Sequence, residues 1–303
     1  MKEYFKDKSA IVTGAASGFG LGITKRLLEY GASEVWMYDV NMQLLEEEAG
    51  KLQELYPGKV FYAYVNPTEE EQVKKMVRDA AEHAGRLDFL FNNAGKPMTC
   101  KSETIESEDF NLIAQLNYSA VAYATFEALK YMSAQKSGHV VNTASLGGLI
   151  PIPFQAVYAS TKAAVISFTR CLRYEYEGTG IYFSQVSPSN VATPIFTASA
   201  VDQMRKEGLS EEEIKERLKD FKAPPEAMSL DEALDSMFRG IENKETDILL
   251  DESSREFYKH FRMDTPEFRA EIAKIAKRRR EYYEKVEEAE AKGLPPESIP
   301  FPG

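Results

Sequence analysis

Several features that mark secreted, membrane or metal-dependent proteins are scarce in this 303-residue chain. It has only two cysteines, Cys100 and Cys171, so one disulfide is possible, but the low count favours a reducing compartment. No apolar run reaches the roughly 18 residues of a membrane-spanning helix, and the charged residues 1–8 are unlike a secretory leader. We therefore expect a cytoplasmic protein. The histidines lack metal-ligand spacing, so we expect no catalytic metal; they are His83, His139 and His260.

Positive charge is also scarce, with 37 Lys and Arg against 48 Asp and Glu, a net charge of −11. Such a chain repels phosphate backbones over most of its surface, so we expect no nucleic-acid partner. The basic run 277–280 lies among many glutamates, which favours a solvated helix face over a nucleic-acid site.

Short apolar runs alternate with helix-length segments through the first two-thirds of the chain. We predict strands at 9–13, 34–40, 60–65, 87–91, 139–143 and 181–186, and a last strand at 247–250. We predict helices between them at 21–30, 42–55, 68–84, 110–132 and 158–176, with Thr68 and Glu71 as a capping box. This alternation predicts an α/β fold, a doubly wound, mainly parallel sheet of the Rossmann type with helices on both faces.

The composition becomes more polar beyond Pro194, and we expect a lid over about 194–228. Two capping boxes predict helices in this region; they are Ser210 with Glu213 and Ser229 with Glu232. We expect one catalytic and dinucleotide-binding domain over 1–254 and a helical C-terminal extension over 255–303.

The extension contains a long amphipathic helix that begins at Thr265 and Pro266 and ends at Gly293. Its apolar stripe must be covered by the same subunit or by a neighbour, and we expect it to cross a subunit boundary. The stripe consists of Phe261, Phe268, Ile272, Ile275, Tyr282 and Val286.

A glycine-rich turn joins the first strand to the first helix. Gly14, Gly18 and Gly20 allow a tight turn and a close approach of the backbone to a pyrophosphate, which the start of the helix attracts. Asp39 ends the second strand, where a carboxylate accepts hydrogen bonds from ribose hydroxyls. Because that carboxylate repels a 2′-phosphate and no cation stands beside it, NAD is favoured over NADP.

A second group of residues points to acid–base chemistry. Tyr158 and Lys162 are four apart on a predicted helix and share one face, and Ser145 follows the fifth strand. A nearby ammonium lowers the pKa of a phenol, and a hydroxyl can hold the reacting oxygen. Taken alone, the pair also fits a packed tyrosine beside a surface lysine.

Taken together, these motifs resemble the short-chain dehydrogenase/reductase family over about residues 5–250. The resemblance is carried by the loop TGAASGFG at 13–20, NNAG at 92–95, Asn117, Ser145, Tyr158 and Lys162. It implies a single Rossmann-type domain that forms homo-oligomers, dimers or tetramers, through its two long helices. We expect a tetramer.

The resemblance also implies the role of each site residue. Tyr158 is the expected general acid/base, supported by Lys162, Ser145 and Asn117. The expected cofactor-binding residues are Gly14, Ser17, Gly18, Phe19, Gly20, Asp39, Asn66, Asn93, Gly95, Tyr158, Lys162 and Thr193. Two positions depart from the family pattern: Asn66 stands where an aspartate is common, and Ser189 follows Pro188 where a glycine is common.

These features predict an NAD-dependent enzyme that interconverts a secondary alcohol and a ketone. The apolar run 146–154 after Ser145, with Ile195 and Phe196, would form an apolar pocket wall. The expected substrate is therefore bulky and apolar, such as a hydroxysteroid, as in the hydroxysteroid and prostaglandin dehydrogenases of the family. Two alternatives stay open: a dehydrogenase of small or polyol alcohols, and a non-catalytic NAD-binding regulator.

Overall fold

The computed structural model describes residues 2–193, 204, 208–219, 227–263, 265–292 and 299. Within these residues the chain forms seven strands: β1 (Ser9–Thr13), β2 (Glu34–Asp39), β3 (Val60–Tyr64), β4 (Phe89–Asn92), β5 (Gly138–Thr143), β6 (Ile181–Ser187) and β7 (Asp247–Leu249). All neighbouring pairs are parallel, in the order β3-β2-β1-β4-β5-β6-β7. The predicted doubly wound parallel sheet is confirmed.

Helices connect the strands and cover both faces of the sheet. In the described residues they are α1 (Lys2–Phe5), α2 (Gly18–Glu29), α3 (Met42–Leu55), α4 (Glu70–Ala84), α5 (Ser107–Ala114), α6 (Ala120–Gln135), α7 (Ala156–Glu175), α8 (Glu211–Leu218), α9 (Leu230–Glu242), α10 (Glu252–Arg262) and α11 (Pro266–Ala291). A π-helical turn, Gln115–Ser119, separates α5 from α6.

The alternation of side chains along each strand divides the core between the two faces. On β1, Ala10 and Val12 pack in a cluster with α2, α3 and α9, whereas Ile11 packs with α4 and α6 on the opposite face. β1 lies between β2 and β4. The chain therefore adds β2 and β3 on one side of β1 and β4 to β7 on the other side. Ligands of such sheets bind in the crevice at the carboxyl ends of the strands, here after β1 and β4.

Local predictions need correction at several places, including β4, which is Phe89–Asn92 rather than 87–91, and α2, which begins at Gly18 rather than at residue 21. Thr68 does not cap α4, because its hydroxyl donates to Oδ1 of Asn66 and the helix begins at Glu70 with Glu69 as N-cap. The helix predicted at 110–132 begins earlier, at Ser107, and contains the π-helical turn. Helix α10 was not predicted.

Both predicted capping boxes of the C-terminal region are present. The Ser210 and Ser229 side chains accept from the backbone N–H of Glu213 and Glu232, at the starts of α8 and α9. Most of the expected lid lies outside the described residues, as do Ile195 and Phe196.

The C-terminal extension packs on its own chain. Phe268 of α11 is buried in a third core cluster with Leu149, Ile150 and Val165, and Phe257 of α10 joins it. Of the predicted apolar stripe, Phe268 and Ile272 thus pack within the chain, and Phe261 does so from α10 rather than α11. A contact of the stripe with a neighbouring subunit stays a prediction. The predicted domain boundary at 254/255 falls inside α10.

The sequence predicts a solvated helix face for the basic run at 277–280, but only part of the run is exposed. Lys277, Arg278 and Arg280 are exposed, but Arg279 is buried, with 6% of its surface accessible. A helix of this amphipathic kind turns one residue of any four-residue run toward the protein.

Both cysteines are free thiols. Among the helices of the described ranges, none is both long enough and apolar enough to cross a membrane.

His139 is a neutral core histidine on β5. Its Nε2 lies 2.9 Å from Oγ of Ser184, whose hydroxyl donates to the carbonyl of Glu245, so Nε2–H donates to Ser184. The Tyr4 hydroxyl then donates to Nδ1 at 3.1 Å. Full burial lowers the pKa of His139 to about 3.

This histidine makes the stability of the fold depend on pH. Unfolded His139 binds a proton below about pH 6.5, but the folded protein resists protonation down to about pH 3. Its contribution to stability is therefore complete above pH 6.5 and is lost as the pH falls, by about 1.4 kcal/mol at pH 5.5. Denaturant unfolding above pH 6.5 and at pH 5.5 should show a smaller loss of stability in His139→Gln than in the wild type. His83→Gln, at an exposed histidine, is the control. An equal loss in wild type and His139→Gln would contradict this assignment.

Candidate active site

The glycine turn after β1 has the shape that its sequence predicts. Gly14 and Gly18 have φ values of +65° and +51°, which residues with a Cβ rarely adopt. A Cβ on Gly20 would lie 2.0 Å from the carbonyl oxygen of Gly14. Ser17 is the N-cap of α2 but its side chain makes no capping hydrogen bond. The first turn of α2 thus offers backbone N–H groups at the edge of the sheet.

Asn93 and Thr13 join the carboxyl ends of β4 and β1. Nδ2 of Asn93 donates to the Thr13 carbonyl at 3.1 Å, and Oγ1 of Thr13 accepts from the backbone N–H groups of Asn93 and Ala94, both at 3.0 Å. These bonds hold the NNAG segment against the glycine turn.

Asp39 closes the other side of the turn. Its carboxylate accepts from the backbone N–H of Ala16 at 3.0 Å and from that of Asn41 at 2.9 Å. The next residue, Val40, is an exposed apolar side chain, so no cation follows the carboxylate directly.

A cavity of about 530 Å³ runs along this edge of the sheet from Asp39 to Tyr158. Most predicted site residues line it: Gly14, Ser17, Gly18, Phe19, Asp39, Asn93, Gly95, Ser145, Tyr158, Lys162 and Thr193. Three do not: Gly20, Asn66 and Asn117. Gly20 lies behind Gly14, where it supports the turn.

Asn66 is directed toward a local turn. Its Oδ1 accepts from both the backbone N–H and the hydroxyl of Thr68, at 3.1 and 2.9 Å. Its neighbours Val65 and Pro67 line the cavity instead. An adenine-binding role for Asn66 stays a prediction, with its oxygen already engaged by Thr68.

Asn117 lies behind the cavity in the π-helical turn and is fully buried. Its amide bonds both backbone groups of Lys96, with Oδ1 accepting at 2.9 Å and Nδ2 donating at 3.0 Å. Nδ2 also lies 3.3 Å from Oγ1 of Thr161, on α7. Asn117 thereby ties the segment after β4 to the helix that carries Tyr158. π-Helical turns are rare and are frequent at functional sites.

Ser145, Tyr158 and Lys162 meet at the far end of the cavity. The Ser145 hydroxyl lies close enough to that of Tyr158 to influence its pKa. Nζ of Lys162 lies 5.9 Å from the Tyr158 ring centre and donates to the carbonyl of Thr143 at 2.8 Å. Tyr158 and Lys162 are both buried.

Burial favours the uncharged form of both side chains. It raises the pKa of the Tyr158 hydroxyl, a change that the nearby Ser145 hydroxyl partly offsets. It also lowers the pKa of the Lys162 ammonium to about 8. Such an arrangement provides a proton donor and acceptor beside a hydroxyl that can orient a substrate oxygen.

A known protein family matches the part of the chain that forms this site. The family model for short chain dehydrogenase matches residues 8–204. The chain belongs to the short-chain dehydrogenase family.

Several named relatives share this part of the chain. An uncharacterized oxidoreductase of Staphylococcus epidermidis is 34% identical over 201 residues, which cover 66% of this chain and 85% of that protein. The 3-oxoacyl-(acyl-carrier-protein) reductase of Thermotoga maritima is 32% identical over 203 residues, covering 67% and 81%. The levodione reductase of Leifsonia aquatica is 33% identical over 193 residues, covering 63% and 72%.

Solved structures confirm the fold. A short-chain dehydrogenase/reductase from Burkholderia phymatum in complex with NAD has a TM-score of 0.73 at 24% identity, covering 86% of this chain and 96% of that one. A levodione reductase structure has a TM-score of 0.67 at 27% identity, covering 82% and 97%.

The apolar run 146–154 does not form the cavity wall that the sequence predicts. Leu149 and Ile150 are buried in the third core cluster, because their turn packs between α7 and α11. Pro151 is exposed, and the ring of Phe154 stacks on Tyr283 of α11. The run therefore joins the extension to the catalytic domain.

Sequence reasoning missed other residues of the cavity wall. Lys96 and Pro97 line the cavity directly after NNAG, and their position beside that motif was the available signal. Ser189 also lines it, and its hydroxyl donates to Asp251, the N-cap of α10, at 2.8 Å. The departure at Ser189 thus links the cavity to the extension.

Tyr158 should be essential for the oxidoreductase activity of this dehydrogenase. Replacing it with Phe removes the ionisable oxygen but keeps a buried ring, so turnover should fall by about 10²–10⁴-fold with the melting temperature nearly unchanged. Steady-state kinetics measure the loss. Tyr64→Phe, the same change at an exposed tyrosine on β3, is the control. Near-normal turnover by folded Tyr158→Phe would exclude this residue as the acid/base.

Proposed function

We propose that this dehydrogenase uses NAD to interconvert a secondary alcohol and a ketone. The observation that carries the proposal is the meeting of Ser145, Tyr158 and Lys162 in one cavity with the glycine turn and Asp39. Acid–base residues and a phosphate-binding turn at the same sheet edge are what hydride transfer with a dinucleotide requires.

The shape of the glycine turn fits a dinucleotide. The absence of side chains at Gly14 and Gly18 leaves the backbone accessible beside the first turn of α2, where a pyrophosphate is favoured. Asp39 stands where the adenosine ribose hydroxyls would donate to it. Asn93, Gly95 and Thr193 line the same cavity and would hold the remaining length of the cofactor.

The residues of the chain divide the chemistry among them. A nicotinamide held in this cavity would provide the hydride acceptor for an alcohol or the hydride donor for a ketone. The Ser145 hydroxyl holds the substrate oxygen, and Tyr158 exchanges a proton with it. The ammonium of Lys162 favours the phenolate electrostatically, and Asn117 fixes Lys96 and Thr161 on either side of the site.

A bulky apolar substrate, such as a hydroxysteroid, remains our proposal. Pro97, Val121 and Val191 line the cavity with apolar surface. One relative is named a levodione reductase, and a reductase fits the reducing direction of this reaction. A dehydrogenase of small or polyol alcohols would have more hydrogen-bonding groups there, and a non-catalytic regulator would not need the complete set of Ser145, Tyr158 and Lys162.

An NADH-absorbance screen with steroids, bile acids, polyols and short alcohols tests this function. We expect NADH formation with a bulky secondary alcohol and a clear preference for NAD over NADP, because Asp39 repels a 2′-phosphate.

Asp39→Ala should reduce the preference for NAD over NADP, and Glu46→Ala on α3 is the control. Turnover of polyols alone would contradict the substrate class, equal use of NADP would contradict the role of Asp39, and no turnover would favour the regulator.

We also propose that the protein forms a homo-oligomer, as a tetramer, through α5, α6 and α7. Phe110 and Leu112 of α5, Phe126 of α6 and Tyr174 of α7 are between 43% and 72% exposed. Phe126 lies edge-on to Phe168 of α7 at 5.6 Å, so the exposed aromatic surface continues from one helix to the next. Such a surface marks an interface.

Light scattering tests this assembly. The full-length protein should have a mass four times that of the 34.1 kDa chain. Phe126→Lys should shift the distribution toward smaller species, because a charge cannot be buried cheaply in an apolar interface. Tyr64→Lys, at an equally exposed site on β3, is the control. A monomeric wild-type protein would contradict the proposal.

A further inference from the structure

A buried arginine interrupts the apolar stripe of α11. Arg279 stands seven residues after Ile272 and seven before Val286, in a position that the pattern assigns to an apolar side chain. Its Nη1 donates to the carbonyl of Pro153 at 2.7 Å. Burying a guanidinium is costly, so a residue of this kind indicates a task beyond filling space.

Tyr283 lies one turn further along the same helix face. Its hydroxyl donates to the carbonyl of Thr99 at 2.9 Å, and its ring stacks on that of Phe154 with centres 5.4 Å apart. Lys101 and Glu287 form an ion pair next to this contact. One face of α11 therefore holds two separate loops, residues 96–101 after β4 and residues 151–155 after Ser145.

The two loops are also bonded to each other under α11. The backbone N–H of Cys100 donates to the carbonyl of Phe154 at 2.9 Å, and Nε2 of Gln155 lies 3.0 Å from Oγ1 of Thr99. Phe154 has a φ of +67°, a conformation rare for residues with a Cβ. Such a backbone persists where its surroundings hold it, commonly next to a functional site.

Both loops lead directly into the active site. The first begins with Lys96 and Pro97, which line the cavity, and Lys96 is bonded to Asn117. The second runs into α7, whose third residue is Tyr158. Arg279 and Tyr283 do not line the cavity themselves, so any effect they have on the reaction passes through these loops.

We propose that Arg279 and Tyr283 are positioning residues, which fasten the two loops so that the substrate is held correctly beside Tyr158. This inference rests on the proposed alcohol–ketone activity. It assigns the C-terminal extension a part in substrate recognition, by way of its fixed contacts with Thr99, Pro153 and Phe154.

Two variants separate positioning from general stability. Tyr283→Phe keeps the ring that stacks on Phe154 and loses only the hydrogen bond to Thr99. Arg279→Met introduces an apolar side chain of similar length and removes the hydrogen bond to the carbonyl of Pro153. Arg280→Ala, the exposed neighbour on the same helix, is the matched control.

Kinetics with an alcohol that the wild type oxidises provide the first measurement. Because loosened loops would bind the alcohol less tightly, we expect its KM to rise about five- to tenfold in both variants. The KM for NAD and the melting temperature should change little, and Arg280→Ala should match the wild type. An unchanged KM for the alcohol would overturn the proposal, as would equal increases in both KM values with a lower melting temperature.

Hydrogen exchange on the full-length protein provides a measurement that needs no substrate. The amide of Cys100 reports the bond between the loops, and it should exchange faster in both variants, together with residues 151–157, while amides of β1 and β2 stay protected. Unchanged exchange at Cys100 would overturn the proposal even if the kinetics changed. Absence of any turnover by the wild type would count against the proposed function, and the exchange result would still decide whether α11 holds the loops.

Discussion

The buried contact between Lys162 and the carbonyl of Thr143 is the constraint on which the site depends. At 2.8 Å it joins α7 to the end of β5, and so brings Tyr158, one turn earlier on α7, to Ser145, two residues beyond Thr143. A Cβ on Gly95 would come within 3.1 Å of this ammonium and 3.2 Å of Oδ1 of Asn117, so a larger residue there would press on both groups. The parallel sheet aligns these strand ends, and side chains with obligatory hydrogen bonds determine how closely they meet.

The same sheet edge connects the dehydrogenase domain to its extension. Ser189 bonds Asp251 at the start of α10, and α11 then crosses the loops after β4 and β5. The third core cluster, centred on Leu149, Ile150 and Phe268, fixes these helices by apolar burial. The extension thus packs on the part of the chain near Ser145 and Tyr158, whereas the glycine turn and Asp39 lie at the other end of the cavity.

Local patterns predicted much of this structure. The bounds of β1 and α3 agree with the sequence because each segment has a strong apolar period and a clear stop at Gly14 or Pro57. The π-helical turn at Asn117 could not be predicted, since one extra residue per turn barely changes helical periodicity. The prediction that Thr68 caps α4 was wrong because its hydroxyl donates to Oδ1 of Asn66. The burial of Arg279 depends on a carbonyl 126 residues away, which no local pattern reveals.

The central claim is that Tyr158 becomes the proton acceptor when the site is assembled. In the free protein, burial raises its pKa; the Lys162 ammonium and a bound, cationic nicotinamide would both favour the phenolate. The most direct test is an ultraviolet difference titration of wild type against Tyr158→Phe, with and without NAD. We expect one more tyrosine to titrate in the wild type, which has 16, than in Tyr158→Phe, and we expect NAD to shift the midpoint of this additional phenolate to lower pH. A midpoint unaffected by NAD, or the same titration in both proteins, would contradict the central claim.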